Sequence, residues 1–367
     1  MKTTENGSKK RPLWRRILLG AGIVLLALVL LLTGGVGLLT IAEYRPADRE
    51  TAAVEGTAAA AAPAQGDTLT VLTWNIGYGG LSEETDFFMD GGRSVRATSK
   101  ETVEANMQAI LAKIQSYAPD VLFLQEADEC SSRTYRIDEP ALLRGGLSGY
   151  ASSFAYNYKA AYVPYPVPTL GKIASGLVTF TTFPVSGAER VQLPVPFSWP
   201  VRTVNLKRCL LVSRVPLADG ERELVLVNLH LEAYDDGEGK IEQTKMLAEL
   251  LAAEAAKGNY VVAGGDFNQI FSSADKTAYP AKEGMWQPGE IDVTQFEGAW
   301  QFLMDAAVPS CRSLDQPYTG ADKEHFQYYL IDGFIVSGNI TVASCKTQDL
   351  GFVNSDHNPV LLQLTLQ

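Results

Sequence analysis

Residues 17–41 form an uninterrupted run without a charged side chain, and this run constrains the chain more than any other feature. It is rich in Leu, Val, Ile and Gly, and as a helix it would be about 38 Å long at about 1.5 Å per residue. The hydrocarbon core of a bilayer is about 30 Å thick. Polar residues do not recur along the run as they do on the outer face of a helix in a globular domain. We therefore predict a transmembrane helix over residues 17–41.

A basic leader, residues 1–16, precedes this run and contains Lys9, Lys10, Arg11, Arg15 and Arg16. A cleaved signal peptide also begins with basic residues, but its apolar stretch covers only about 7 to 15 residues and ends in a small-x-small cleavage site. Here the run is longer and is followed by Glu-Tyr-Arg at residues 43–45. These features favour an uncleaved anchor, although the Ala-rich residues 58–62 leave later cleavage open.

The basic leader also predicts the orientation of the chain. Because loops rich in Lys and Arg stay in the cytoplasm, we expect a single-pass protein of the cell membrane with a cytoplasmic N-terminus and an extracytoplasmic domain. Residues 42–67 contain many Ala, Thr, Glu and Asp and little that could pack, so we interpret them as a tether. Residues 68–367 contain no visible repeat and no second linker, which indicates one domain.

The predicted domain is acidic. The whole chain has 31 basic and 42 acidic residues, and removing the six Lys/Arg and the single Glu of residues 1–42 leaves 25 and 41, a net charge of −16. Proteins that grip long nucleic acids usually show a basic stripe, because phosphate neutralisation supplies most of the non-specific affinity. If this domain acts on phosphate esters, bound cations must therefore supply much of the local attraction.

Four cysteines are widely scattered, at Cys130, Cys209, Cys311 and Cys345. They form no Cys-x-x-Cys pair and no cluster with histidine, so a zinc site is not expected. Disulfides are permitted outside the cytoplasm, but the sequence does not choose among the three full pairings. Four thiols are the plainer interpretation.

Short β-rich runs alternate with helical patterns along residues 68–367. Apolar residues at helical spacing predict helices near 103–114 and 240–256. Strands are predicted at residues 69–76, 120–125, 175–183, 206–215, 223–232, 260–264, 330–336 and 359–366. Because helices separate several of these strands, the pattern favours sheets covered by helices over an all-β sandwich.

Polar residues stand where several of these strands begin or end. The segments are Trp74-Asn75, Gln125-Glu126, Asn228-Leu229-His230, Gly265-Asp266-Phe267-Asn268, Ile331-Asp332 and Ser355-Asp356-His357-Asn358-Pro359. Each segment alone is better explained by a turn, a cap or a surface acid than by a functional site. Their combination is more informative, since two of the three histidines in the chain lie in them.

These segments, in this order, resemble the motifs of the endonuclease/exonuclease/phosphatase superfamily, which includes deoxyribonuclease I, bacterial sphingomyelinases and inositol polyphosphate 5-phosphatases. The resemblance covers about residues 68–367. It implies an α/β (α+β) fold, a four-layer sandwich of two mixed β-sheets flanked by helices, here preceded by the transmembrane helix. It also implies an active site at one end of the sheets.

The resemblance further implies a metal site of oxygen ligands. Asn75, Glu126 and Asp356 would gather around Mg²⁺ or Mn²⁺, and hard oxygen ligands with several waters suit Mg²⁺. Hydrolysis of a phosphoester requires neutralised phosphoryl oxygens, an aligned water and help for the leaving oxygen. A divalent metal supplies the first and the third.

The remaining motif residues would act on water and phosphate. By resemblance, Asp266 and Asn268 orient the attacking water and the phosphate, Asp332 holds His357 through a carboxylate–imidazole hydrogen bond, and His230 contacts the phosphate from the other side. Either Asp266 or the Asp332–His357 pair could accept the proton of the water. The sequence leaves this choice open.

The function that we expect is hydrolysis of phosphodiesters or phosphomonoesters by water attack on phosphorus, at the outer face of the membrane. An extracellular nuclease and a sphingomyelinase or phospholipid phosphodiesterase are the alternatives, and a non-catalytic binding relative is a third. The partners would be a phosphate-ester substrate and the membrane, with no obligate protein partner evident. Asn157, within the aromatic segment 154–172, is our candidate for substrate binding. Aromatic and Pro-rich segments could contact lipid, stack on bases or pack over the sheets, and packing is the expectation for most of them.

Overall fold

The computed structural model describes residues 12–235 and 237–367. The chain divides into two units, Met1–Glu43 and Tyr44–Gln367, which are treated separately. Of the basic leader, Lys9, Lys10 and Arg11 lie outside the described residues.

In the first unit, residues Leu13–Ile41 form helix α1, 29 residues long and with none of them buried. At about 1.5 Å per residue this helix is about 44 Å long, which is enough to cross a bilayer. The predicted span of residues 17–41 lies within it. By length and composition, α1 is therefore compatible with a single-pass anchor.

The second unit contains all of the β-structure in the described residues. Its α-helices are α2 (Lys100–Tyr117), α3 (Glu139–Gly146) and α4 (Glu238–Ala255). Its strands, in chain order, are β1 (Arg49–Ala52), β2 (Val54–Gly56), β3 (Thr68–Asn75), β4 (Val121–Asp128), β5 (Ala151–Val163), β6 (Gly171–Thr181), β7 (Gly187–Gln192), β8 (Cys209–Pro216), β9 (Glu223–His230), β10 (Tyr260–Asp266), β11 (Gln269–Phe271), β12 (Gly289–Ile291), β13 (Trp300–Leu303), β14 (Cys311–Arg312), β15 (Tyr328–Tyr329), β16 (Asp332–Ser337), β17 (Ile340–Thr347) and β18 (Val360–Leu366).

Two seven-stranded sheets form the centre of this unit. The first has the order β1-β7-β8-β9-β10-β16-β13 and the second has the order β17-β18-β3-β4-β6-β5-β2. Both sheets are mixed, because β9 and β10 are parallel and so are β3 and β4, whereas their other pairings are antiparallel. The remaining strands form two small pairs, β11-β12 and β14-β15.

The central strands are buried on both faces, which explains their continuous apolar runs. Side chains of alternate residues point to opposite faces of a strand. In β4, Phe123 therefore faces the core between the two sheets, where it joins Leu226 and Val262 of the first sheet. Its neighbours Leu122 and Leu124 face outward into a second cluster.

Helices cover the outer face of each sheet. Met107 and Ile110 of α2 pack in the outer cluster of the second sheet. Leu247 and Leu251 of α4 pack on the outer face of the first sheet. The Ser99 side chain begins α2 by accepting a hydrogen bond from the backbone N–H of Thr102, which satisfies one of the free donors of the first turn. The layers are thus helix, sheet, sheet and helix, as the sequence predicted.

The segment predicted to be a tether, residues 42–67, supplies an edge strand to each sheet. Strand β1 pairs with β7 of the first sheet, and β2 pairs with β5 of the second. Both strands are short, and most of their side chains are exposed. They bury too little apolar surface to be recognised from composition, so the interpretation of this segment as a free tether was wrong.

Strand β5 was not among the strands predicted from the sequence, although it covers part of the aromatic segment 154–172. Its side chains alternate, with Ala155 and Asn157 buried while Phe154, Tyr156 and Tyr158 are half-buried on the other face. This alternation is typical of a strand. The aromatic side chains and the prolines that follow at 164–168 obscured it in the sequence.

A buried amide pair joins the two sheets. Gln125 Nε2, at the end of β4, donates a hydrogen bond of 2.8 Å to Asn228 Oδ1 on β9. Asn228 Nδ2 in turn donates to the carbonyl oxygens of Leu124 and Val178 in the second sheet, at 3.2 Å and 2.9 Å. All of these groups are fully buried, so their hydrogen bonds fix the offset of one sheet against the other.

We predict that Asn228→Ala lowers the free energy of unfolding by roughly 2–4 kcal/mol, because it removes one of the two hydrogen-bond acceptors of the buried Gln125 amide and the donor that contacts two buried carbonyl groups. Urea unfolding of the full-length protein in a mild detergent measures the change. Asn205→Ala is the matched control. It removes one local hydrogen bond at a half-buried position and should cost less than about 1 kcal/mol. Equal effects of the two substitutions would contradict the role of Asn228.

Candidate active site

Three polar residues of the first sheet lie in one row at the ends of adjacent strands. His230 ends β9, Asp266 ends β10 and Asp332 begins β16. In the register of the sheet His230 is opposite Asp266, which is in turn opposite Asp332. Neighbouring strands are about 4.8 Å apart, so the three side chains lie close together at the same end of the sheet.

The second sheet contributes Asn75 at the end of β3 and Glu126 near the end of β4. The ladder between β4 and β6 is irregular between Leu124 and Ala127, and Glu126 has a positive φ of 57°. In a regular strand Gln125 and Glu126 would simply alternate between the two faces. The irregularity instead directs Gln125 into the core and leaves Glu126 half-buried at the strand end.

The segment before β18 is fixed to the end of β3. The indole N–H of Trp74 donates to the carbonyl oxygen of His357, and the Ser355 hydroxyl donates to the carbonyl oxygen of Asn75, at 2.9 Å and 2.8 Å. These bonds place Asp356 and His357 beside Asn75. They also account for the Trp before Asn75, whose polar edge has a structural partner.

Gly265 is required by the close approach of two strands. Its φ is +151°, and a Cβ at this position would lie 1.9 Å from the carbonyl oxygen of Leu229. No other residue fits without moving β9 or β10. The glycine therefore sets the position of Asp266, the next residue.

Asp266 is the centre of the contacts between the two sheets. Its Oδ2 atom accepts a hydrogen bond from Asn75 Nδ2 at 3.1 Å and lies 3.4 Å from His230 Nε2 and 3.8 Å from His357 Nε2. Its Oδ1 atom accepts from the backbone N–H of Asn268 at 2.9 Å. Four of the residues singled out in the sequence thus surround a fifth.

His357 and Asp332 form a buried pair. Asp332 Oδ2 lies 2.8 Å from His357 Nδ1, which leaves His357 Nε2 directed toward Asp266 and Asp356. Burial alone lowers the pKa of His357, but the charge of Asp332, with further contributions from Cys311 and Asp356, holds this pKa well above its usual value. The raised pKa favours the protonated imidazole, in which each ring nitrogen carries an N–H.

His230, in contrast to His357, is uncharged. Burial, reinforced by the charge of Arg208, holds the pKa of His230 well below its usual value, so this imidazole is neutral. Its Nδ1 atom is buried and has no hydrogen-bond partner among the described residues. The two histidines on either side of Asp266 are thus electrostatically different.

Burial and mutual repulsion make the ionised forms of the buried acids Asp266 and Asp356 less favourable. Burial, and then the charge of Asp332, raises the pKa of Asp266 to about 7, although His357 opposes this shift. Burial, with a contribution from Glu126, raises the pKa of Asp356 to about 6, again against His357. The protein alone does not balance the negative charge of these carboxylates.

Asn75 connects Asp266 to Glu126. The Asn75 amide nitrogen also lies 3.1 Å from Glu126 Oε1 and 3.4 Å from His357 Nε2. A Cβ on Gly77, two residues after Asn75, would lie 2.8 Å from Asp356 Oδ1, which places Asp356 against the same turn. The three predicted metal ligands are therefore neighbours.

A buried arginine behind Glu126 was missed by the sequence analysis. Arg133 forms a two-point ion pair with Asp128, lies over the ring of Tyr78 at 3.6 Å, and has Nη2 3.8 Å from Glu126 Oε2. Two-point Arg–carboxylate pairs are geometrically strict, so Arg133 helps to hold the end of β4. No spacing or composition signal distinguishes this arginine in the sequence.

Asn157 does not belong to this group of contacts. Asn157 Oδ1 accepts a hydrogen bond from the backbone N–H of Cys209, which ties β5 to β8. Its contact with substrate stays a prediction. The four cysteines are free thiols, and burial raises the pKa of Cys311, which neighbours His357, to about 12.

A cavity of about 280 Å³ opens beside the site. Asn268, Asp356 and His357 line its inner part, while Trp286 and Tyr329 contribute aromatic walls. The cavity is large enough for a phosphoryl group and part of the group esterified to it.

The family profile described as the endonuclease/exonuclease/phosphatase family matches residues 72–357. The chain therefore belongs to this family, which confirms the resemblance drawn from its motifs. The matched region extends from β3 to His357 and so includes every residue of the predicted metal and catalytic sets. No curated protein matches the chain in sequence.

Solved structures support the fold. An endonuclease/exonuclease/phosphatase from Beutenbergia cavernae is 20% identical, with a TM-score of 0.55, covering 82% of this chain and 72% of that one. One from Bacteroides vulgatus is 16% identical, with a TM-score of 0.54, covering 82% and 100%. ANGEL2, described as a 2′,3′-cyclic phosphatase, is 14% identical, with a TM-score of 0.52, covering 86% and 98%.

Proposed function

We propose that this protein hydrolyses phosphoester bonds with Mg²⁺ or Mn²⁺, by attack of water on phosphorus. Members of its family act on phosphoesters. The observation that carries the proposal for this chain is the environment of Asp266. One buried carboxylate receives an amide from the second sheet and lies between a charged and a neutral histidine. Such an arrangement provides a carboxylate that can accept a proton and two imidazole groups of different charge that can contact a phosphate.

The residues fit a hard divalent cation. Glu126 and Asp356 provide carboxylate oxygens beside the Asn75 amide, and the pKa of Asp356 is raised by burial and by Glu126. A cation would relieve this repulsion, and oxygen ligands are those that Mg²⁺ and Mn²⁺ prefer. Cys311 also lies near Asp356 and His357, but its thiol stays protonated and is a poor ligand. Glu126 and Asp356 would hold the cation, and Asn75 would join them through its amide oxygen, which here accepts a hydrogen bond from the backbone N–H of Gly77 at 3.0 Å.

The bound cation would supply neutralisation of the phosphoryl and leaving oxygens. Asp266 Oδ2 then accepts the proton of the attacking water, because it is the carboxylate oxygen that faces both histidines. The protonated His357 donates from Nε2 to a phosphoryl oxygen, since its Nδ1 is bound to Asp332. On the other side of Asp266, the Nε2 atom of neutral His230 either donates a hydrogen bond or accepts one. Asn268 fixes the carboxylate of Asp266 through its backbone N–H.

Metal dependence is the first test of the proposal. Chelation of the purified full-length protein should abolish turnover of a chromogenic phosphodiester, and added Mg²⁺ or Mn²⁺ should restore it. Glu126→Gln should raise the metal concentration needed for half-maximal rate, because it removes charge but keeps the shape of the side chain. The control is Gln115→Glu, the reverse exchange of an amide for a carboxylate, at an exposed position of α2. It should leave the metal requirement unchanged. Full activity in excess chelator would exclude the proposed site.

Coupling of Asp332 to His357 is the second test. Asp332→Asn and His357→Ala should each lower the catalytic rate by roughly 10²-fold or more, the range of a positioned acid–base group. Because Asp332 acts through His357, the double variant should be little slower than the slower single variant. His230→Ala combined with His357→Ala should be slower than either single variant, since these two residues act on different sides of Asp266. Steady-state rates at saturating metal measure all five proteins.

Asp332 begins a core strand, so thermal unfolding of each variant separates loss of catalysis from loss of fold. Well-folded single variants with near-normal rates would remove both residues from the mechanism. Fully multiplicative losses for Asp332 and His357 would show that they act independently.

We further propose that α1 anchors the protein in the cell membrane with the catalytic unit outside the cytoplasm. The length and composition of α1 and the basic residues before it support this orientation. A protease added to intact cells should therefore remove the catalytic unit and spare a tag on the leader. Permeabilised cells are the control, in which both should be digested. Protection of the catalytic unit in intact cells would reverse the orientation.

Activity assays with DNA, RNA, sphingomyelin, phosphoinositides and a chromogenic phosphodiester would identify the substrate class. The full-length protein in detergent is the appropriate sample, because truncation at residue 68 would remove β1 and β2 from the sheet edges. The acidic character of the unit tells against long nucleic acids, whose binding depends on basic side chains.

A further inference from the structure

Four of the five most exposed large apolar side chains in the described part of the catalytic unit lie on segments that leave its strands at one end, and the fifth, Ile241, lies on α4. Val167 is 93% exposed and Tyr165 is 69% exposed, both at the tip of the β5–β6 hairpin. Trp199 and Val201, on the segment between β7 and β8, are 59% and 54% exposed. A soluble surface rarely presents such side chains together, and a group of them indicates an interaction site.

The hairpin tip projects from the active-site end of the second sheet. Strand β6 is antiparallel to β4, and its residue Ser175 lies opposite Asp128, just past Glu126. The hairpin continues beyond this level, since Val163 pairs with Gly171. Residues 164–170 therefore extend outward past the catalytic groups.

The segment between β7 and β8 leaves the first sheet at the same end. Gln192, the last residue of β7, pairs with Cys209, the first residue of β8. Cys209 is next to Leu210, which pairs with Leu229 directly before His230. The Tyr158 hydroxyl of β5 donates to the carbonyl oxygen of Val204, so the hairpin and this segment are joined. We call residues 162–168 and 198–202 the distal face.

Charge distinguishes these two segments from the rest of the unit. Residues 156–175 and 193–209 contain five basic residues and no acidic residue, although residues 43–367 have a net charge of −16. Lys172 and Arg202 are exposed and Lys159 is half-buried, whereas Lys207 and Arg208 are buried and do not contribute to the surface. Basic and aromatic side chains together are typical of surfaces that contact anionic bilayers, where the rings lie at the level of the headgroups.

The chain also enters the catalytic unit at this end. The backbone carbonyl of Asp48 accepts a hydrogen bond from the N–H of Gln192, in the row that contains Cys209, His230 and Asp266. Helix α1 ends at Ile41, only seven residues before Asp48. The connection between α1 and Asp48 is therefore short.

From these observations we propose that the distal face lies on an anionic lipid bilayer, so that the active site opens toward the membrane and takes phosphoesters carried by lipids. The substrate part of this inference rests on the proposed hydrolase activity, whereas the docking part does not. Insertion of the exposed apolar side chains into the interface is favourable in proportion to the apolar area removed from water.

A dye on the hairpin tip tests the docking. Val167→Cys carries an environment-sensitive dye in full-length protein whose half-buried Cys130 and Cys345 are replaced by Ser. Glu221→Cys is the matched control, on the exposed turn between β8 and β9 at the opposite end of the same strands. In vesicles of phosphatidylcholine and phosphatidylglycerol, brominated lipids should quench the dye at residue 167 and not the dye at residue 221. Removal of phosphatidylglycerol should weaken the quenching, because the basic residues then lose their partner.

Quenching at neither position, or at both equally, would overturn the docking. This readout needs no turnover, so it remains decisive for a protein that is inactive on every substrate.

The substrate class is tested by removing the apolar contacts. Val167→Asp combined with Trp199→Ala should lower hydrolysis of vesicle-borne sphingomyelin or phosphoinositide, whichever the unaltered protein cleaves faster, by roughly tenfold. Turnover of a soluble chromogenic phosphodiester should change less than twofold, because neither residue contacts the catalytic groups. Equal losses on both substrates, or an unaltered protein that cleaves only DNA or RNA, would overturn the assignment to lipids. Failure to cleave the chromogenic ester as well would instead refute the proposed hydrolase activity.

Discussion

The offset between the two sheets is the constraint on which the site depends. Asn75 and Glu126 belong to one sheet, whereas His230, Asp266 and Asp332 belong to the other, and no local sequence relation connects them. The buried amides of Gln125 and Asn228 meet across the core, one strand position away from this group. Because one residue along a strand corresponds to about 3.3 Å, a displacement of one sheet by a single residue would separate groups that are now in contact, and this bond keeps the two sets within reach of each other.

The central elements could be predicted because their burial leaves a pattern in the sequence. Strands such as β9 and β10 are covered on both faces and read as continuous apolar runs, ending in polar residues that have no partner within the run. Edge strands β1 and β2 lack this signal, since they contribute backbone hydrogen bonds and little apolar surface. Arg133 was missed for a related reason, because its partners Asp128, Glu126 and Tyr78 come together only when β4 and the turn after β3 are in place.

The contrast between His230 and His357 arises from their neighbours and not from their burial, which is similar. Both side chains are almost fully inaccessible, yet His357 faces Asp332 whereas His230 lies near the cation of Arg208. The site therefore contains a positive and a neutral imidazole, both near the Asp266 carboxylate. The sequence placed both residues in the site, but their charge states depend on partners that lie far away along the chain.

The net negative charge of the catalytic unit, together with the position of its basic segments, can orient the unit beside a membrane. A net charge of −16 repels an anionic bilayer, and at physiological ionic strength each charge acts over about 8 Å. Most orientations of the unit beside such a surface are therefore unfavourable. The two segments that include the distal face, residues 156–175 and 193–209, are the exception, because they carry the exposed Lys172 and Arg202 and contain no acidic residue. Repulsion elsewhere and attraction here favour one orientation, with the strand ends that hold His230, Asp266 and His357 directed at the lipid headgroups.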